Sequence, residues 1–324
     1  MTVRWGFLGA GGIATGALAP AVHAAAGASL QAVAARDIDR ARALGPVSAY
    51  AGYAELLADD DVDAVYISLS NEQHLPWSVA AMRAGKAVLC EKPLALSTAE
   101  VDELRAVSAE TGRLLVEASW YRWHPRIRLA QERLPDLGPI RHVAAGFTFD
   151  GRLAGNYRLD PARGGGALYD VGCYAVSACL WAIAAGLPSH VSARSAYGSS
   201  GVDLTTEAIL EWPDGAQAEV RAGIEGANGQ WLVIRGEQGE MELRDAPYTS
   251  WTDDVTELMV SDGRGTERIP VPAANAYQLM VEELSAVLTG GPGWVLPLAE
   301  SRDTAAVLDA IRASAASGAV VRCC

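Results

Sequence analysis

Three groups of residues have the types and spacings that chemistry requires. Glu91-Lys92-Pro93 follows the apolar run Ala87-Val88-Leu89-Cys90. Such a run reads as a buried strand of a parallel sheet. The proline ends the strand and leaves Lys92 at its carboxyl end, where open α/β sheets bind ligands. An ammonium there presents a charge and three donors to a substrate oxygen. The second group lies in Gly164-Gly165-Gly166-Ala167-Leu168-Tyr169-Asp170-Val171-Gly172-Cys173-Tyr174, where Asp170 and Tyr174 are four residues apart. On a helix they share one face, about a turn apart. A carboxylate and a phenol can then enter one cleft, the phenol giving and taking a proton. The same spacing also describes an amphipathic helix that buries a hydrogen-bonded tyrosine. The three glycines weigh against that plainer reading, because glycine permits a tight backbone approach.

The third group is Gly9-Ala10-Gly11-Gly12-Ile13-Ala14, after the apolar Trp5-Gly6-Phe7-Leu8 and before an Ala-rich stretch running to about Ala26. This is the dinucleotide fingerprint in its strand–turn–helix setting. Gly9 permits the tight turn, Gly11 lets the backbone approach a pyrophosphate, and Ala14 keeps the helix close to the sheet. The helix N-terminus offers free N–H groups and the positive end of its dipole to phosphate. The next strand ends Ala34-Ala35-Arg36-Asp37. NAD sites usually end it with an acid on the ribose, whereas an arginine accommodates a 2′-phosphate. Arg36 points to NADP; the rival alignment makes Asp37 the ribose acid, so NAD stays possible.

The elements that must position these groups follow in order. Val3–Leu8, Leu30–Ala35, Ala64–Leu69, Ala87–Cys90 and Leu114–Glu117 read as strands, with helices such as Leu75–Ala84 and Ala99–Thr111 between them. That alternation predicts a doubly wound parallel sheet over residues 1–119. From residue 120 the style changes. A helix, Pro125–Leu134, leads into strands at Arg141–Phe149, Val191–Tyr197, Glu207–Trp212, Ala216–Gly223, Trp231–Arg235 and Glu240–Leu243. Turns such as Pro213-Asp214-Gly215 predict an open, mostly antiparallel sheet in an α+β domain over 120–324. Helices near Asn275–Leu288 and Glu300–Ala316 close the chain. The whole is α/β.

The 324 residues suffice for two cores, and the net charge of −13 argues against nucleic acid or an anionic membrane as partner. The N-terminus enters a strand directly, without a signal peptide, and Cys173–Leu187 reads as too short to span a bilayer. A cytoplasmic protein is expected. Cys90, Cys173 and Cys179 sit in apolar runs and read as reduced core residues; Cys323-Cys324 reads as a frayed tail. The five histidines never stand at paired ligand spacing, so no metal site is expected.

Taken together, the chain resembles the Gfo/Idh/MocA family of nicotinamide-dependent oxidoreductases. The resemblance rests on Gly9-x-Gly11-x-Ile13-Ala14, Asn71-x-x-His74, Gly85-Lys86, Glu91-Lys92-Pro93 and the Gly164–Tyr174 segment, in that order. Many members carry His at the position of Tyr174. This chain is similar to the Tyr-bearing branch of dihydrodiol dehydrogenases, NADP-dependent D-xylose dehydrogenases, glucose–fructose oxidoreductase and sugar 3-ketoreductases. Trp120-Tyr121-Arg122-Trp123-His124-Pro125 and Asn156-Tyr157-Arg158-Leu159-Asp160-Pro161 look like the first two of these. Ser70 departs from the pattern, since relatives usually carry Pro before the Asn.

The resemblance implies a cis Lys92–Pro93 bond and an NADP site lined by Gly9, Gly11, Gly12, Ile13, Ala14, Arg36, Ser68, Asn71, His74, Glu91 and Lys92. It implies Tyr174 as general acid/base, its pKa lowered by Lys92, and Asp170 bonding a sugar hydroxyl or orienting Lys92. Trp120, Arg122, Trp123, His124, Asn156, Tyr157 and Arg158 become walls of a carbohydrate pocket, although Trp120 and Trp123 also suit a domain junction. His74 either lines the nicotinamide site or caps the helix after it. The expected activity is NADP-dependent oxidation of a sugar or cyclic polyol, of the aldose 1-dehydrogenase or dihydrodiol dehydrogenase kind. A keto-sugar reductase and a non-catalytic NADP-sensing regulator are the alternatives. In relatives the second sheet packs against another subunit, which predicts a homodimer.

Overall fold

A computed structural model describes residues 1–152, 155–243, 247–249 and 255–323; Cys324 lies outside these. The chain divides into two compact units. The first comprises Met1–Ala95, Ala99–Trp123 and Asn275–Leu298; the second holds Leu96–Thr98, His124–Ala274 and the chain from Ala299.

The first unit is built on six parallel strands, β1 (Val3–Leu8), β2 (Ala28–Ala34), β3 (Ser48–Tyr50), β4 (Ala64–Ile67), β5 (Ala87–Cys90) and β6 (Leu115–Glu117). Their order is β3-β2-β1-β4-β5-β6, which places a topological switch between β1 and β4. β4 and β5 are buried at every position, as strands covered on both faces must be. β3 was not expected: it is three half-buried residues, Ser-Ala-Tyr, and carries no apolar run. The helix Ala276–Leu288 belongs to this unit, where Trp5 Nε1 donates to Ser285 Oγ at 3.1 Å.

The second unit carries a nine-stranded sheet of β7 (Ile140–Thr148), β8 (His190–Tyr197), β9 (Asp203–Glu211), β10 (Gln217–Gly223), β11 (Gly229–Gly236), β12 (Gly239–Glu242), β13 (Thr256–Asp262), β14 (Gly265–Val271) and β15 (Val321–Arg322). The order is β14-β13-β12-β11-β7-β10-β9-β8-β15. Only the β7–β10 pair is parallel. β13 and β14 are a further addition to expectation. β14 is an edge strand, exposed along most of its length and containing Pro270, so it shows neither alternation nor an uninterrupted run.

One helical stretch decides where the second half of the site sits. The helical turns of Pro161–Ile183 span 23 residues, with the three glycines interrupting them before the helix from Leu168, and are apolar enough for a bilayer, yet 94% of the most apolar window is buried within the protein. It is a core helix. Cys90, Cys173 and Cys179 are buried and in no disulfide among the described residues.

Candidate active site

At the switch point, Gly9 has φ +105°, and a Cβ there would sit 2.8 Å from the Ser68 carbonyl oxygen. No other residue suits that position. The turn is anchored by Gly9 N–H donating to Ala34 O at 2.9 Å and Ser68 N–H to Leu8 O at 3.0 Å. Over Gly12 a Cβ would meet nothing within 4 Å. The helical stretch that follows opens with a π turn, Ala14–Leu18, and no side chain caps it at Ile13. An uncapped helix N-terminus behind an open glycine turn fits a pyrophosphate.

Arg36 is exposed, beyond the buried Ala35. The Asp37 carboxylate caps the helix Ile38–Arg42, accepting from Asp39 N at 3.0 Å and Arg40 N at 3.4 Å. It is committed to the backbone, which weakens its claim as the ribose acid. Sequence reasoning missed Arg40. Its Nη2 donates to Ala10 O at 2.5 Å, so a second guanidinium stands against the glycine turn. Its position, one helical turn beyond Arg36, was the available signal.

Lys92 is half-buried at the end of β5, and its bond to Pro93 is cis. Three buried side chains brace this turn. Glu91 Oε1 accepts from the Tyr66 hydroxyl at 2.6 Å and Oε2 from Lys92 N at 3.3 Å. Glu117 Oε1 accepts from Leu94 N at 3.2 Å. His74 Nδ1 stands 2.8 Å from Pro93 O, and its Nε2 3.3 Å from Leu69 O. Burial pushes the His74 pKa down, with Lys92 adding to the effect, so the ring is neutral and its shorter contact assigns the hydrogen to Nδ1. Its Nδ1–H donation to Pro93 O thus ties the Lys92–Pro93 turn to the start of the helix His74–Arg83. Asn71 is buried in the 3₁₀ turn Asn71–Gln73. Ser70 holds φ −72°, which a proline would also adopt, and its hydroxyl donates to Glu72 Oε1 at 2.7 Å.

Trp120, Arg122 and Trp123 are buried in a 3₁₀ turn of the first unit. Trp120 stacks on Tyr277 with centroids 4.8 Å apart, Trp123 meets Trp294 edge-on at 4.8 Å, and Arg122 lies over the Trp294 ring at 5.6 Å. These aromatic faces are engaged within the protein.

In the second unit the three glycines acquire separate reasons. Gly164 is left-handed at φ +70°. A Cβ on Gly165 would lie 2.5 Å from Arg158 O, and one on Gly166, at φ +117°, 2.1 Å from Asp203 Oδ1. Gly165 N–H donates to Asp160 O at 3.0 Å and Gly166 N–H to Arg158 O at 2.9 Å. The loop bearing Asn156, Tyr157 and Arg158 is thereby fastened to the start of the core helix. That helix begins with a π turn, Leu168–Gly172, a feature frequent at functional sites. Asp203 accepts from Leu168 N at 2.8 Å and Thr206 Oγ1 at 2.7 Å.

On this scaffold Arg158 Nε donates to Asp170 Oδ2 at 2.6 Å, the two side chains 28% and 4% exposed. Burial lowers the Arg158 pKa, but the Asp170 carboxylate and the nearby Tyr157 and Tyr174 phenols outweigh it, and the net direction is up. The guanidinium also lies 5.0 Å from the Tyr157 ring and 5.8 Å from that of Phe149. Phe147 links Phe149 and Tyr174, each 5.9 Å away between centroids. Asn156 Oδ1 accepts from Arg158 N at 3.1 Å. The structure therefore gathers Asp170, Tyr174, Asn156, Tyr157 and Arg158 on one wall. His124 is buried as well; its Nδ1 accepts from Arg126 N at 3.1 Å. Burial, reinforced by Arg126, drops its pKa to about 4. The ring is neutral with its hydrogen on Nε2, and that donor meets no acceptor among the described residues.

Residues 3–119 match the model of the oxidoreductase family with an NAD-binding Rossmann fold, and 127–242 match the GFO/IDH/MocA C-terminal domain. The chain is 36% identical to a D-xylose 1-dehydrogenase (NADP(+)) of Haloferax volcanii, over 98% of this chain and 99% of that one. It is 32% identical to trans-1,2-dihydrobenzene-1,2-diol dehydrogenase of Mus musculus, over 96% of each. A 3-ketoreductase of Actinomadura kijaniata, solved with NADP and TDP-benzene, superposes with TM-score 0.90 at 30% identity, covering 97% of this chain and 98% of that one.

Proposed function

The chain belongs to the Gfo/Idh/MocA family of oxidoreductases, and from that premise we propose that it oxidises a sugar or cyclic polyol at one carbinol centre with NADP, through Tyr174 and Lys92. The observation that carries the reading is the pair of half-buried Arg158 and buried Asp170 beside Tyr174. A fixed carboxylate, a cation and a phenol on one wall are what a polyhydroxylated substrate and a proton transfer require.

The glycine turn and the uncapped helix at Ile13 hold the cofactor pyrophosphate, and Arg36 with Arg40 takes the 2′-phosphate. When bound, the nicotinamide supplies the hydride acceptor at its C4. Tyr174 takes the proton from the substrate hydroxyl. The Arg158 cation interacts with the Tyr174 phenol and favours its phenolate form. Lys92 donates to the same substrate oxygen and stabilises negative charge there in the reductive direction. Asp170 accepts from a neighbouring hydroxyl, and His124 Nε2–H is a neutral donor for another oxygen. Glu91, Glu117 and His74 hold the Lys92 turn in place. Tyr157 and Asn156 complete the wall; Trp120, Arg122 and Trp123 pack against Tyr277 and Trp294 within the first unit.

The outer face of the nine-stranded sheet forms a homodimer interface in this proposal. Trp231 lies flat over Gly146, Ile209 is 44% exposed, and Arg194 and Arg221 flank Glu207 on the same face. Apolar patches with charged rims suit self-association. The protein works in the cytoplasm, on free small molecules.

A second reading, keto-sugar reduction, is favoured by the TM-score of 0.90 to the 3-ketoreductase. One experiment separates the two. Nicotinamide absorbance is followed with NADP⁺ and NAD⁺ against D-xylose, D-glucose and cyclic diols. NADP⁺ reduction by an aldose or diol supports the first reading. Silence across the panel, with NADPH oxidised by a keto-sugar, replaces it with the second.

A further inference from the structure

β4 is buried on both sides and closes with Tyr66-Ile67. Phenylalanine would fill the space of Tyr66, which is fully buried and meets Phe7 edge-on at 5.0 Å. The hydroxyl donates to Glu91 Oε1 at 2.6 Å. That is the short distance of a bond to a charged oxygen. Glu91 is itself 6% exposed, and a carboxylate this deep needs compensation. The other Glu91 oxygen accepts from the backbone N–H of Lys92.

We infer that Tyr66 is a positioning residue: it keeps the Glu91 carboxylate buried as an anion next to Lys92, and this counter-charge holds Lys92 protonated in the active site. The inference rests on the role proposed above for Lys92. The charged and titratable groups facing Glu91 are Lys92 on its own turn, Tyr66 on β4, Glu117 at the end of β6, and Cys90 before it. Tyr277, from the helix Ala276–Leu288, faces Tyr66; His74 faces Lys92. Burial raises the Glu91 pKa and sets the net direction, while Lys92, the Tyr66 hydroxyl and the Lys92 N–H pull against it. Removing the hydroxyl therefore pushes Glu91 toward its neutral form, and Lys92 then loses its anion and gives up its proton more readily.

The test is Tyr66→Phe, with Glu91→Gln beside it, in the full chain. The first readout needs no substrate: the rate of Lys92 acetylation by acetic anhydride, followed by mass spectrometry against pH. The midpoint should fall by about half a unit to one unit in Tyr66→Phe, and by more in Glu91→Gln, as expected for losing a charge at this range. The second is turnover of D-xylose with NADP⁺: kcat should fall about tenfold in Tyr66→Phe, with the alkaline limb moved to lower pH and KM changed less than about twofold. A purely structural role would lower thermal stability and leave the Lys92 midpoint where it was. Unchanged midpoints in both variants overturn the inference. Lys92→Ala separates the two claims: if it still turns over, the role of Lys92 fails whatever Tyr66 does; if it is dead while Tyr66→Phe titrates like the parent, only the Tyr66 assignment falls.

Discussion

Removing the Arg158 guanidinium is the perturbation whose size follows most directly from the structure. Asp170 is 4% exposed and its Oδ2 lies 2.6 Å from Arg158 Nε. Breaking a fully buried ion pair by deleting one partner costs about 3–5 kcal/mol, because the remaining charge is left uncompensated. Arg158 is 28% exposed, so water reaches the gap it leaves, and we expect about 2–3 kcal/mol for Arg158→Ala. The pH dependence has a definite sign. Without its cation the buried Asp170 has a folded pKa above its unfolded value of about 3.9. The penalty is therefore present at neutral pH, shrinks as pH falls through the raised folded pKa, and is gone below about 3.9, where both states carry the proton. Urea unfolding of Arg158→Ala, Asp170→Asn and the double variant, at pH 7.5 and pH 5, measures this. The double variant should recover most of the stability lost by Arg158→Ala. If Asp170 must also hold a substrate hydroxyl, kcat/KM should fall roughly 30- to 150-fold, the same energy at 1.36 kcal/mol per decade. A loss equal at both pH values, with no recovery in the double variant, would refute an electrostatic origin and leave Arg158 as a packing residue.

Tyr174→Phe should abolish turnover while NADPH binding, read by fluorescence, stays within about twofold, since only a proton-transfer group is removed. Arg36→Ala and Arg40→Ala should each raise the Kd for NADPH about tenfold or more and leave that for NADH nearly unchanged, because a guanidinium–phosphate bond is lost; equal effects on both cofactors would detach these residues from the 2′-phosphate. Gly166→Ala meets both a φ of +117° and Asp203 Oδ1 at 2.1 Å, so about 2–4 kcal/mol of stability should go, seen as a Tm lowered by about 3–6 °C, with kcat falling alongside. His124, neutral with a pKa near 4, takes up a proton more readily unfolded; stability is complete above pH 6.5 and falls as pH drops toward 4, by at most about 3 kcal/mol. His124→Gln should flatten that decline in a pH series of urea midpoints.

The parallel sheet and its glycine turn were legible because their signals are local: apolar runs of strand length and a glycine whose turn admits nothing else. β3 and β14 were not, since a three-residue strand and an exposed edge strand with Pro270 take their definition from neighbours. The return of Asn275–Leu298 to the first unit is likewise a tertiary fact; the periodicity of a helix does not say which core it covers. For the site the division is similar. Residue types named Lys92, Asp170 and Tyr174, and the triple glycine announced a close approach. What it approaches became visible only in three dimensions: the Tyr157 and Arg158 carbonyls and the Asp203 carboxylate. The charges that tune the site were the least legible. Arg158 stands 12 residues from Asp170 and Tyr66 stands 25 from Glu91, and no periodicity connects such pairs. Arg40 reached the glycine turn across 30 residues. An active site of this kind is written into the sequence as a set of reacting groups, whereas the pairs that set their protonation are written into the fold. That is why the double variants at Arg158 and Asp170, rather than any single replacement of a reacting group, test whether this wall works as one electrostatic unit.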